Sequence, residues 1–217
     1  MSVESGKLTI ALSKGRILKG SLPLLAAAGI ELSEAPADSR KLLFATSHPQ
    51  VRILIIRASD VPTFVSYGAA DMGVAGKDVL LENDVSGFYE MMDLQIARCR
   101  LVLASRPDAD LGKPCLKIAT KYVKTTRDWC AAHGYQIEVV RLYGSMELAP
   151  LVGLADAIVD VMESGNTLRE NGLVVRDHIM GISSRLIINR ASMKVKTGLI
   201  KPIMKKISAA MPDEVTC

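Results

Sequence analysis

Residues 156–168 read DAIVDVMESGNTL, and the way this run breaks decides what kind of chain it belongs to. AIVDV is apolar, rich in branched side chains and short enough for a buried strand. MESGN stops it, and TLRENG then carries a short helical pattern closed by Gly172. A strand passed to a helix through a tight turn is the repeating element of an α/β protein. Side chains alternate along a strand, so Asp156, Ile158 and Asp160 share a face, and both acids are expected to point the same way near its end. Past them come Glu163, Ser164, Gly165, Asn166 and Thr167. Two readings fit this turn. In one, Ser164 or Asn166 caps the helix and Gly165 makes the bend. In the other, the N–H groups at the helix start, two hydroxyls and a glycine that admits close approach form an anion cradle of the kind phosphates use. The acids favour the cradle, because a ligand offering hydroxyls as well as phosphate would use both.

The same theme recurs outward from this stretch. KLTIAL (7–12) reads as a buried strand, residues 13–16 as a loop, and ILKGSLPLLAAAG as a helix that Pro23 should kink or restart from Ser21 and Gly29 should close. KLLFAT and VRILIIR read as strands around an SHPQ turn, with residues 53–56 apolar enough for the middle of a sheet. SDVPTFVSYG has Ser59 or Asp60 as a helix N-cap and Pro62 in the first turn. ADMGVAG is a central strand, KDVLLEN opens a helix, and CRLVLAS is a further strand. The Pro-, Gly- and Asp-rich RPDADLGKP that follows is the expected crossing into a second lobe. LKIAT, a helix over VKTTRDWCAAHG, IEVVRLYG, a helix over MELAPLVG, ADAIVDV and TLRENG form that lobe. SSRLIINR returns to the first, and VKTGLIKPIMKKISAAM is a basic amphipathic helix. The expected division is 1–104 plus 183–217 against 105–182. Two α/β lobes joined by two crossings leave a central cleft at the carboxyl ends of their strands, where such sheets bind ligands.

The composition narrows the function. The chain has 217 residues, 49% apolar and only 4% aromatic, with a net charge of +4. Its Lys and Arg are spread along the chain and not interleaved with aromatics, which favours small acidic ligands over nucleic acid. Cys99, Cys115, Cys130 and Cys217 form no C-x-x-C pair, and His48, His133 and His178 stand far apart, so reduced thiols and no structural zinc are expected. The amino terminus has no leader pattern and no apolar run reaches the ~18 residues of a membrane span, pointing to a cytoplasmic protein. Lys14, Gly15 and Arg16 in LSKGRI put two cations and a flexible backbone after a strand. Arg40, Lys41 and Arg57 also fall at strand ends. So many neighbouring cations would repel one another unless an anion binds there.

From Glu147 to Leu168, ELAPLVGLADAIVDVMESGNTL is similar to the signature of the ATP phosphoribosyltransferase family, at Glu147, Gly153, Ala155, Ile158, Asp160, Ser164, Gly165, Thr167 and Leu168. ALSKGR, SRKL, RASDVPTFVSYGAADMGVAGKDV and LYGSMELAPLVGL resemble it as well. The resemblance spans about residues 7–200 and implies a two-lobed fold like the type II periplasmic binding proteins. It also implies transfer of phosphoribosyl from phosphoribosyl pyrophosphate to N1 of the ATP adenine, the first step of histidine biosynthesis, with Mg²⁺ carried by the substrate and no direct protein ligand. On the family pattern Glu163, Ser164, Gly165, Asn166 and Thr167 take the 5-phosphate, and Asp160, with Glu147 or Asp156, takes ribose hydroxyls. Lys14, Arg16 and Arg40 meet pyrophosphate and ATP phosphates as the catalytic cations, and Gly15, Arg57 and Asp60 complete the ATP side in the first lobe. The short chain implies the short form, a catalytic homodimer that joins a regulatory subunit resembling histidyl-tRNA synthetase in a hetero-octamer. A non-catalytic solute- or effector-binding module is the alternative for the same two-lobed architecture.

Overall fold

The computed structural model describes residues 6–36 and 39–211; the extreme amino terminus and Cys217 lie outside them. The chain divides into two units, Met1–Ala97 with Ser183–Cys217, and Arg98–Ile182.

The first unit opens with β1 (Leu8–Ser13), wholly buried, and α1 (Arg16–Ala27). α1 runs unbroken through Pro23, against the expected kink. The carbonyl that loses its donor there belongs to exposed Lys19, on the side where water can replace the bond. Gly29 (φ 78°) ends it, and Ile30 N–H donates to Leu25 O at 2.9 Å while its side chain is buried. Next come β2 (Leu43–Ala45), β3 (Val51–Ile56), a 3-10 turn (Ala58–Asp60), α2 (Val61–Ser66), β4 (Met72–Gly76), α3 (Lys77–Glu82) and β5 (Phe88–Asp93).

The second unit holds β6 (Cys99–Ser105), β7 (Leu116–Thr120), α4 (Val123–Ala132), β8 (Ile137–Arg141), α5 (Leu148–Leu151), β9 (Ala157–Met162), α6 (Asn166–Glu170) and β10 (Val174–Ile182). The first unit then resumes with β11 (Ser184–Asn189), α7 (Arg190–Val195) and α8 (Thr197–Ala209).

Strand order is β2-β3-β1-β4-β11-β5 in the first unit and β10-β6-β9-β7-β8 in the second. In each unit three neighbouring strands are parallel, β3-β1-β4 and β9-β7-β8, and antiparallel strands complete the sheet. The boundary falls before β6 and not in the loop after it. β6 bonds to β9 and β10, and the chain turns ahead of it at Gln95 (φ 57°) and Ala97 (φ 51°).

The core of the first unit joins Leu8, Ile10 and Leu12 of β1 to Ile53 and Ile55 of β3 and to Ile200, Ile203 and Ile207 of α8. Those α8 positions recur at helical spacing, so the basic helix docks by an apolar stripe. In the second unit, Ile158 of β9 and Leu168 of α6 share a cluster with Met146 and Ala149 beside α5. This packing ties the turn after β9 to the segment that leads into α5. Cys99, Cys115 and Cys130 are free thiols, and burial pushes the Cys130 thiol up to about 11. No helix among the described residues is long and apolar enough to cross a membrane.

Candidate active site

Parallel register explains which predicted residues gather. In the first unit Ser13 of β1 pairs with Ile56 of β3, so residues 14–16 and Arg57 leave neighbouring strands at the same level. β2 runs antiparallel to β3, and Ile55 N–H donates to Leu42 O at 2.8 Å, which brings the residues before β2, Arg40 and Lys41, to that same end. Lys14, Gly15, Arg16, Arg40, Arg57 and Asp60 are all exposed there. Gly15 has φ 83° and stands at the N-cap of α1, a backbone shape that favours glycine. Asp60 sits at the α2 N-cap position without a side-chain capping bond; instead Ser59 Oγ donates to its Oδ1 at 2.9 Å. Lys41 pairs with Glu34 at 2.8 Å.

In the second unit the corresponding end is that of β7, β8 and β9. Asp160 is half-buried near the end of β9, and its Oδ1 accepts Val161 N–H at 2.8 Å. After β9, Glu163 and Ser164 are exposed, and Gly165 adopts the left-handed conformation (φ 77°, ψ 6°) that starts α6. A Cβ on Gly165 would stand 3.1 Å from Met162 Sδ, so space as well as conformation asks for glycine. The first N–H groups of α6 have no intrahelical carbonyl to bond. Ser164 Oγ accepts Asn166 N–H only at 3.4 Å, and the Asn166 side-chain Oδ1 accepts from Arg169. Glu147, half-buried, immediately precedes α5 in the connection from the end of β8.

Asp156 does not join this group. It precedes β9, at the opposite end of the strand, about 13 Å from Asp160 at four strand residues. Lys113 Nζ contacts its Oδ1 at 2.5 Å and Lys117 N–H donates to Oδ2 at 2.9 Å. The Lys113 hydrogen bond first, then that of the Lys117 amide, hold its carboxyl below the usual carboxylate range. The period of two correctly gives a shared face; it does not say which acid is at the working end.

Lys121 lies beside Asp160 although the sequence pattern does not single it out. Thr120 of β7 pairs with Val159 of β9, so Lys121 comes level with Asp160. Its Nζ lies 3.9 Å from Asp160 Oδ1 and 4.9 Å from the Tyr122 ring centre. Thr120, fully buried, fixes the pair of strands: its Oγ1 donates to Val159 O at 2.7 Å and accepts Tyr122 N–H at 2.9 Å. The only signal for Lys121 in the sequence is a cation immediately after a predicted strand, and its neighbour appears only with the register.

Comparison with known proteins decides among the chemistries such strand ends allow. Residues 57–209 match the family model for HisG, ATP phosphoribosyltransferase. The chain belongs to the ATP phosphoribosyltransferase family. It is 61% identical over 197 residues to the ATP phosphoribosyltransferase of Psychrobacter arcticus, covering 91% of this chain and 85% of that protein. It is 56% identical over 204 residues to that of Marinobacter nauticus, covering 94% and 95%. Among solved structures it resembles the ATP phosphoribosyl transferase (HisG:HisZ) complex from Thermotoga maritima, with a TM-score of 0.81 at 30% identity over 94% of this chain and 98% of that one. The periplasmic VFT2 domain of Bordetella pertussis BvgS, 15% identical over 96% of this chain and 89% of that one, has a TM-score of 0.61 and shares the fold alone. This member is a short-form enzyme that transfers phosphoribosyl from phosphoribosyl pyrophosphate to N1 of the ATP adenine, the first step of histidine biosynthesis.

Proposed function

We propose that this reaction divides its substrates between the two strand ends. The 5-phosphate of the sugar donor rests on residues 163–167, and its ribose hydroxyls bond to Asp160 and Glu147. Lys14, Arg16 and Arg40, with Gly15, Arg57 and Asp60 beside them, meet the pyrophosphate and the phosphates of ATP. The observation that carries this assignment is the left-handed Gly165 starting a helix directly beyond Asp160, which sets a phosphate seat and a hydroxyl acceptor on consecutive turns of chain. Lys121, 3.9 Å from Asp160 Oδ1, would help to orient that carboxylate.

Adenine N1 carries its own lone pair, so no strong base is required. As pyrophosphate leaves, the bond from its oxygen to the ribose anomeric carbon lengthens, positive charge grows on the ring and negative charge on the leaving group. On this reading Asp160 and Glu147 favour the ring charge, and Arg16, Lys14 and Arg40 the leaving charge. Mg²⁺ retains several waters and is readily held by substrate phosphate oxygens, for which Asp160 and exposed Glu163 are suitable oxygen neighbours. When bound it supplies further charge neutralisation on the pyrophosphate. The Thermotoga protein was solved in a two-protein complex, which supports assembly of a catalytic homodimer of this chain with a regulatory subunit resembling histidyl-tRNA synthetase.

Arg16→Ala tests the assignment. Loss of one preorganised charge-stabilising donor is expected to cost roughly 2.7 to 4 kcal/mol of transition-state stabilisation, or 10²- to 10³-fold in turnover. The check is single-turnover formation of N1-substituted adenine followed by ultraviolet absorbance. An unchanged rate removes Arg16 from the catalytic group.

A further inference from the structure

Lys121 follows β7 on a chain that is pinned on both sides of it. Thr120 Oγ1 donates across the sheet to Val159 O at 2.7 Å, and the same oxygen accepts Tyr122 N–H at 2.9 Å. The backbone that carries Lys121 is thus bracketed against β9 by one buried hydroxyl. The side chain is guided as well. Its ammonium lies 4.9 Å from the centre of the Tyr122 ring, and Tyr122, only 4% exposed, offers a fixed surface for the aliphatic stem. From there Nζ stands 3.9 Å from Asp160 Oδ1, the oxygen that also accepts Val161 N–H at 2.8 Å.

A merely solvated lysine needs none of this. Most exposed ion pairs gain little because two long, mobile side chains must be held together. Here the acid is short and bonded to its own strand, and the lysine leaves an anchored stretch of chain, so much of the ordering is already done by the fold.

The sign of the charge limits what Lys121 can do. In the reading above, positive charge grows on the ribose ring as pyrophosphate leaves, and a cation beside the carboxylate that faces the ring opposes that charge. Lys121 therefore gives no help to bond breaking from this position. What it can improve is the hold on the sugar before reaction. A carboxylate kept in one orientation meets the ribose hydroxyls without first having to be ordered.

We infer that Lys121 is a positioning residue for the sugar donor, acting on it through Asp160 and not by touching it. The inference rests on the proposed contact between Asp160 and the ribose hydroxyls, and adds what makes that carboxylate ready.

A double-mutant cycle tests it on the full chain, with steady-state KM for each substrate and single-turnover rates at saturating phosphoribosyl pyrophosphate. Lys121→Met keeps an apolar stem over Tyr122 and removes the charge. It is expected to raise the KM for the sugar donor about threefold to fivefold, the upper end for a partly exposed ion pair. The KM for ATP should not move, and the single-turnover rate should stay level or rise, a pattern that general damage to the fold would not give. Lys121→Arg restores a cation and should return the donor KM to within about twofold of the parent. In an Asp160→Asn background, Lys121→Met should change the donor KM by less than about twofold, because the group it acts through is gone.

An equal rise in both backgrounds would mean that Lys121 touches the donor itself, and overturns the inference. A lower single-turnover rate with an unmoved KM does the same, by placing Lys121 in the chemical step. If Asp160→Asn raises the donor KM while Lys121→Met leaves it alone, the inference fails and the assignment of Asp160 stands. If Asp160→Asn itself keeps the parent's donor KM, both fall together.

Discussion

Asp71 and Asp156 occupy equivalent places in the two units. Each follows an alanine and immediately precedes a parallel strand, in AADMGV and LADAIV. Asp71 N–H donates to Thr9 O at 2.9 Å while Thr9 N–H donates back to Asp71 Oδ2 at 2.8 Å. Asp156 N–H donates to Lys117 O at 2.8 Å and Lys117 N–H donates back to Asp156 Oδ2 at 2.9 Å. A lysine completes each pair, Lys196 at 2.9 Å from Asp71 and Lys113 at 2.5 Å from Asp156. These are clips that lock neighbouring parallel strands at their amino ends. They differ in burial: the Asp71 side chain is 7% exposed and takes a third bond, from Ser192 Oγ at 2.6 Å, whereas that of Asp156 is 21% exposed. The lesson is positional. An acid at the amino end of a strand holds the sheet together, and an acid at the carboxyl end, Asp160, is the one we propose for the ribose hydroxyls.

The largest effect should come from the more buried clip. Asp71→Ala leaves Thr9 N–H without its carboxylate and Lys196, still bonded to Lys7 O at 2.8 Å, without its counter-charge, and is expected to cost about 3 kcal/mol of stability, toward the lower end for breaking a buried pair. Urea denaturation measures it, and where folded enzyme remains its KM for the sugar donor should match the parent. A changed KM with unchanged stability would reverse the roles assigned to the two strand ends.

Asp160→Asn should do the opposite. With the charged acceptor gone, kcat/KM for phosphoribosyl pyrophosphate is expected to fall roughly 10- to 100-fold, the scale of about 1.5 to 3 kcal/mol for hydrogen bonds to a charged group. The urea midpoint should scarcely move, because Asp160, 22% exposed, lies 3.9 Å from a Lys121 that is itself 41% exposed. Equal loss of stability and activity would make Asp160 a third clip.

How much of this was legible in the sequence follows from where each element lies. Central strands announced themselves, since β1 and β4 are buried on both faces and read as apolar runs. β5 and β10 did not, and both are edge strands. VVRDHIMGI carries Arg176, Asp177 and His178 and pairs with β6 through two register shifts, so neither alternation nor an apolar run marks it. The crossing between units was hidden for a different reason. It passes through LQIAR, with no Gly or Pro, and turns on Gln95 and Ala97, whereas the Pro- and Gly-rich loop that looked like a boundary joins β6 to β7 inside the second unit. Site residues carried by a local turn, such as Gly165, were readable from composition alone. Those that depend on a neighbouring strand, Lys121 beside Asp160 or Lys113 beside Asp156, needed the register.

The smallest effect belongs to the more exposed clip, and its pH dependence distinguishes it. The native Asp156 carboxyl is held below its ordinary value by the Lys113 hydrogen bond and then by Lys117 N–H, which outweigh the opposing effect of burial. A carboxylate with a lower pKa in the folded chain than in the unfolded one stabilises the fold above the unfolded value, near 3.9, and loses that contribution as pH falls through the native value. Asp156→Asn removes the charge while keeping an oxygen for Lys117 N–H. It is expected to cost about 0.5 to 1 kcal/mol at pH 7, on the scale of a partly exposed ion pair. The urea midpoints of parent and variant should converge as pH falls through the native value. Turnover at pH 7 should match the parent, because Asp156 lies about 13 Å along the strand from Asp160. A gap that persists unchanged at pH 2 would mean that the lost oxygen geometry, and not the charge, set the cost; a fall in turnover would return Asp156 to the substrate.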